Sequence, residues 1–179
     1  MHLPPCNPDQ VRIGVSIPVP QPFAAELHAT RRAVGDRYAD LIPPHITVIG
    51  PTVVDRSALP AVIEHLAAVA ASTPAFHLHL SGTGTFRPIS PVVFVNVVEG
   101  VSSCERLERA ARSGPLATQT RFNYHPHVTI AHEVDDAALD QAFRSMRVFD
   151  AEFDVSAIWM YEHGDDGVWR PERSFELQG

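Results

Sequence analysis

The sequence predicts an α+β protein assembled as an internal repeat, and three observations lead there. Apolar patterning runs strand, helix, short strand, helix, strand, and then runs through the same order again. A His-x-Thr tripeptide sits on the middle strand of both passes, at His45 and at His127. Equivalent positions keep a near-constant offset, 81 positions from Val11 to Val92 and 82 from His45 to His127.

The first pass opens with an apolar strand over 11–19 that ends at the Pro18-Val19-Pro20 breaker. A helix over about 22–38 follows, with Phe23, Leu27, Val34 and Tyr38 near one face. A short strand over 45–49 comes next. The helix predicted over 57–71 buries Leu59, Val62, Ile63, Leu66 and Val69, and its Pro60 lies in the first turn, where a missing N–H costs little. Alternation of Phe76, Leu78 and Leu80 closes the pass with a strand whose solvated face carries His77 and His79.

The second pass begins with a strand over 92–98 and a helix from Ser102, with Ser102 and Glu105 read as a capping box. A Gly/Pro/Thr-rich connection over 113–123 leads to the strand 127–131. Asp135 or Asp136 caps a helix carrying Leu139, Ala142, Phe143 and Met146. Strands near 149–155 and 158–161, a turn at 164–167 and a last strand ending near Leu177 complete the chain. Residues 1–179 thus read as one bilobal domain, with repeats over about 11–84 and 91–161 and a C-terminal strand over about 168–177.

Composition narrows the functions available. With 179 residues and 45 % hydrophobic content, the chain suits one compact domain or two intimate lobes. It lacks an apolar run of membrane length, and Met1 to Pro8 do not resemble a signal peptide. Cys6 and Cys104 form no C-x-x-C pair, which suits a reducing interior, so a cytoplasmic, non-membrane protein is expected. All 14 basic residues are arginine. Without lysine there is no Walker A loop, no Schiff base and no lysine-bound AMP. The net charge of −7 argues against wrapping long duplex nucleic acid and for a small or terminal substrate held by a few arginines.

The chemistry is concentrated in Pro44-His45-Ile46-Thr47-Val48 and Pro126-His127-Val128-Thr129-Ile130. Residues two apart on a strand share a face, so each strand shows one imidazole and one hydroxyl, backed by apolar residues. If the repeats form a pseudo-two-fold pair, two imidazoles and two hydroxyls converge in one groove. One neutral histidine can then take a proton from water or a ribose hydroxyl while the other, as imidazolium, protonates the departing oxygen. Thr47 and Thr129 are placed to donate to non-bridging phosphate oxygens. The pattern does not say which histidine is the acid.

These paired motifs, with the Gly84-Thr85-Phe86 stretch and the apolar strand after it, resemble the two-histidine (2H) phosphoesterase superfamily. The similarity is to its bacterial branch of 2′-5′ RNA ligases, also described as RNA 2′,3′-cyclic phosphodiesterases. It implies a bilobal fold of mainly antiparallel sheets around a central cleft, with helices outside and His45, Thr47, His127 and Thr129 facing the cleft. It also implies a hydrolase opening 2′,3′-cyclic phosphates at RNA or oligonucleotide ends, and favours a 2′-phosphate product. The alternatives are a hydrolase of a small cyclic nucleotide or an ADP-ribose cyclic phosphate, and a non-catalytic RNA-end binder. Many members carry Arg or Lys where this chain has His132.

Further candidates for substrate binding are Phe86, Tyr124 and Trp169, which could stack a base, and Arg87 and Arg121, which could meet a phosphate. No cofactor and no metal are expected. The proline between His125 and His127 makes chelation awkward, and by strand parity His132 should face away from His127. A monomer is expected.

Overall fold

The computed structural model describes residues 3–120 and 122–179. Twelve main elements follow in order: β1 (Gln10–Pro18), α1 (Phe23–Ala33), β2 (His45–Asp55), α2 (Leu59–Ala71), β3 (Phe76–Thr85), β4 (Val92–Glu99), α3 (Val101–Ala111), β5 (His127–His132), α4 (Asp136–Ser145), β6 (Asp150–Val155), β7 (Ala157–His163) and β8 (Trp169–Glu176). The fold is α+β, as the repeat predicts. Among the described residues, no helix is long and apolar enough to cross a membrane.

All eight strands form one antiparallel sheet in the order β6-β3-β4-β5-β2-β1-β7-β8. The two His-x-Thr strands, β2 and β5, are therefore neighbours at its centre. They pair through Ile46↔Val128, and an antiparallel register through that pair sets His45 across from Thr129 and Thr47 across from His127. β3 ends the first pass in sequence, yet it pairs with β4 and β6 in the other half of the sheet.

The repeat extends to an irregularity that the sequence does not display. In β2 the pairing with β1 steps from Ser16↔Thr47 to Val15↔Ile49, leaving Val48 as an extra residue. In β5 the pairing with β4 steps from Phe94↔Thr129 to Val93↔Ala131, leaving Ile130 extra. Each strand so carries a β-bulge directly after its threonine, which reverses the side-chain alternation beyond it. Val48 and Ile49 are consecutive core residues for this reason, as are Ile130 and Ala131.

Helices cross between the halves: α1 packs against β5, and α3 against β2. The side of the central strands opposite the histidines is apolar throughout, with Ile46, Val48, Val128 and Ile130 fully buried.

Two helix starts and one helix end separate expectation from outcome. The Asp135 carboxylate caps α4, accepting from the Ala138 N–H at 2.8 Å. The expected Ser102–Glu105 capping box is absent, because α3 begins at Val101 with Gly100 as its N-cap and no side-chain cap. Gly100 has φ +88°, and a Cβ there would lie 2.7 Å from the His77 carbonyl, so only glycine makes the tight turn out of β4. α1 stops at Ala33 rather than near Tyr38. Asp36 turns the chain there, accepting from Arg31 Nε at 3.0 Å and from the Tyr38 N–H at 2.9 Å.

Candidate active site

His45, Thr47, His127 and Thr129 all line one cavity of about 690 Å³ that opens over the central strands. The same backbone device orients both imidazoles. His45 Nδ1 lies 2.7 Å from the Pro43 carbonyl, and His127 Nδ1 lies 2.7 Å from the His125 carbonyl. A carbonyl only accepts, so Nδ1 carries the hydrogen and Nε2 is left to exchange protons. The residue between acceptor and histidine is a proline in both strands, Pro44 and Pro126.

Both imidazoles are pushed toward the neutral form. Desolvation is the main cause at His45, opposed by the Pro43 hydrogen bond and assisted by the charge of Arg31. His127 is lowered as well, from 6.5 to about 4, again chiefly by desolvation. Its ring lies 5.0 Å, centroid to centroid, from both Phe86 and Phe94. Gly84 makes that wall possible: a Cβ there would collide with the Phe94 ring and lie 2.9 Å from Asn96 Oδ1. The Gly84-Thr85-Phe86 stretch therefore shapes the apolar side of the His127 pocket.

A second layer ties the motifs down. The half-buried Tyr124 donates its hydroxyl hydrogen to the Thr47 carbonyl at 2.9 Å, joining the segment before β5 to β2. Burial pushes the acidity of that phenol well below its ordinary strength. Arg31 is 3 % exposed, pairs with the equally buried Asp36, and donates from Nη1 to the Ile42 carbonyl at 2.8 Å. It thereby fixes the chain just before Pro43-Pro44-His45. Across the cleft, the Arg112 guanidinium at the end of α3 pairs with Glu108 and donates to Thr118 Oγ1 at 3.0 Å.

The expected site residues divide as follows. Phe86 and Tyr124 line the cleft, Phe86 as part of the wall under His127 and Tyr124 as a tether. Arg87 does not line the cavity; its Nη2 donates to Asp140 at 2.7 Å and its Nη1 lies 3.5 Å from Asp136, both on α4. Arg121 lies outside the described residues. Trp169 lines a smaller notch of about 80 Å³, together with Tyr161 and the far side of His45 and Thr47. His132 was expected to face away and instead lines the cleft, because the bulge at Ile130 reverses the parity beyond Thr129. His125 also lines the cleft, its ring 5.8 Å from that of His127.

Sequence reading missed Arg31, Asp36, Glu108 and Arg112; the two pairs are local, five and four residues apart, but such spacing does not distinguish a pair lining a cleft from a solvated one on a helix face. Among the described residues, the grouping with metal-ligand spacing is His79, Asp150 and Glu152, on the β3–β6 surface rather than in the cleft. There His79 Nε2 lies 3.0 Å from Asp150 and His77 Nδ1 3.1 Å from Asp154, which makes the predicted solvated face a cross-strand ladder of histidine–carboxylate contacts.

Comparison with known proteins agrees with this geometry. A protein of Geobacillus sp. (strain WCH70) named "Putative phosphoesterase" is 27 % identical over 151 residues, covering 83 % of this chain and 86 % of its own. A Geobacillus kaustophilus protein of the same name is 26 % identical over 171 residues, covering 94 % and 98 %. Among solved structures, E. coli LigT in its apo form superposes with a TM-score of 0.71 at 18 % identity, over 96 % of this chain and 99 % of that one. The family model described as the 2′-5′ RNA ligase superfamily matches residues 19–167, a span that contains both histidine motifs. This chain belongs to the 2′-5′ RNA ligase superfamily of two-histidine phosphoesterases.

Proposed function

We propose that the protein opens 2′,3′-cyclic phosphates at RNA or oligonucleotide ends, using His45 and His127 as a general acid–base pair and no metal. The observation that carries this reading is the pair of Nδ1-anchored imidazoles, each with a threonine from the other strand set across from it in one cleft. E. coli LigT has been solved with 3′-AMP, with phosphate and with ATP, which supports nucleotide phosphates as the ligand class.

In the reaction, the neutral Nε2 of one histidine takes a proton from water. The water oxygen bonds to phosphorus as one ribose P–O bond breaks, and the other histidine protonates the departing ribose oxygen. Thr47 and Thr129 hydroxyls donate to the non-bridging oxygens, where negative charge grows. One histidine must be protonated, yet burial favours both as neutral. The anionic phosphodiester offsets this, since a negative charge within the cleft stabilises an imidazolium beside it. A ribose hydroxyl in place of water runs the same displacement toward a 2′-5′ linkage, and the lysine-free chain cannot form the lysine-bound AMP of ATP-driven sealing.

The test is hydrolysis of an RNA oligonucleotide ending in a 2′,3′-cyclic phosphate, in excess chelator, by wild type, His45→Ala and His127→Ala. Wild type should open the ring, and each variant should lose at least about a hundredfold in rate, the contribution typical of one acid or base. Loss of wild-type activity in chelator would refute the metal-free scheme. Binding of the end without turnover would make the protein an RNA-end binder.

A further inference from the structure

The cleft has two chemically distinct ends. The histidines and threonines lie over the central strands, and apolar side chains stand at the mouth. Among the described residues the exposed large hydrophobics are Ile89 (77 %), Val98 (53 %), Phe122 (61 %) and Val148 (88 %). Ile89 and Phe122 both line the catalytic cavity, although they come from different connections, one between β3 and β4 and one before β5. Asn123 and Ser90, each beside one of them in the chain, line the same cavity and can hydrogen-bond a base edge. An exposed apolar rim flanked by amide and hydroxyl groups suits a flat, neutral heterocycle.

Charge points to the length of the substrate. A polynucleotide is held by cations that follow its backbone. Both arginines that line the described cleft are already paired inside it, Arg31 with Asp36 and Arg112 with Glu108. Arg87, just outside, is held by Asp136 and Asp140. The chain as a whole carries −7. A cavity of about 690 Å³ is of the size that encloses one small ligand.

We propose that the protein engages its substrate through the terminal nucleotide alone, with the nucleobase seated against Phe122 and Ile89 at the cleft mouth. A nucleoside 2′,3′-cyclic monophosphate is then as good a substrate as an oligonucleotide with the same end. This rests on the phosphodiesterase reading above and adds what that reading leaves open, the part of the substrate that is recognised.

The experiment compares adenosine 2′,3′-cyclic monophosphate, an RNA of roughly ten nucleotides ending in the same group, and methyl riboside 2,3-cyclic phosphate, which has no base. Each is assayed with wild type and with Phe122→Ala, over a range of salt concentrations. The two adenosine substrates should agree in kcat/KM within about threefold, and neither should show the steep salt dependence of multiple phosphate contacts. Phe122→Ala should raise KM for both about tenfold, leave kcat nearly unchanged, and leave the baseless substrate unaffected. Preference for the oligonucleotide by more than about tenfold, collapsing with salt, would overturn the proposal and show an extended RNA track. An equal loss on all three substrates in Phe122→Ala would overturn it too, since the residue would then be structural. If wild type opens none of the three, the phosphodiesterase reading fails, and this proposal fails with it.

Discussion

The protonation of His127 is open to direct measurement. An unfolded imidazole titrates near 6.5, and burial against Phe86 and Phe94 holds this one near 4. Between those values the unfolded chain binds a proton that the folded chain refuses. The His127 contribution is therefore fully present above about pH 6.5, falls as pH drops, and is lost once pH reaches about 4. At 1.36 kcal/mol per unit the shift corresponds to at most about 3 kcal/mol, since the ring's open side on the cleft retains part of its hydration. The assay is an NMR titration of the His127 Cε1–Hε1 signal, assigned with His127→Gln, beside urea denaturation at several pH values. The signal should move well below pH 6, and stability should decline through the same window. A His127 midpoint at or above 6.5 would refute the desolvation argument. The rate should follow: kcat/KM reports the free enzyme, where one of two depressed imidazoles must be protonated, so it should peak on the acid side of 6.5 and fall toward alkaline pH.

Other perturbations probe the supports of the site. Tyr124→Phe removes the bond to the Thr47 carbonyl and should cost about 1 kcal/mol in urea denaturation; unchanged stability would make that contact incidental. Gly84→Ala drives a methyl into Phe94, so it should destabilise by about 1–3 kcal/mol and shift the His127 titration toward the ordinary value as the apolar wall moves away. Arg31→Met leaves Asp36 buried without its partner, at a cost of about 3–5 kcal/mol, and Arg31→Met/Asp36→Leu should recover most of it, as a denaturation cycle would show. Thr47→Val and Thr129→Val should each lower kcat on a cyclic phosphate by tenfold or more, on the order of one lost transition-state donor, with KM little changed; a pure KM effect would place the hydroxyls in ground-state binding.

The parts of the site read most easily from sequence are those with local periodicity. His45 and Thr47 share a face because a strand repeats every two residues, and the second motif repeats the pattern, so their convergence needs only adjacency of β2 and β5. The same rule failed five residues past His127. Strand parity sends His132 away from the cleft, but the bulge at Ile130 brings it back, and neither Ile130 nor Val48 differs in type from an ordinary strand residue. Arg87 was a reasonable phosphate contact by proximity to Phe86, yet α4 presents two carboxylates to it, a meeting of segments about fifty residues apart. The start of α3 followed a backbone demand, the left-handed turn at Gly100, rather than the capping signal at Ser102.

The placement of β3 bears on the assembly of the molecule. The chain repeats itself in sequence, but the first copy gives its last strand to the sheet half that holds β4 and β5, and β7 and β8 return to flank β1. Severed at the connection before Val92, the earlier fragment would hold β3 without a neighbour to pair with, and the later one would leave one edge of β4 bare. Each fragment would carry one of the two histidines proposed as the acid–base pair, and an open strand edge that only the other can close. The two passes behave less like two beads on a string than like two hands with fingers interlaced, so activity on a cyclic phosphate should return only when both fragments are mixed.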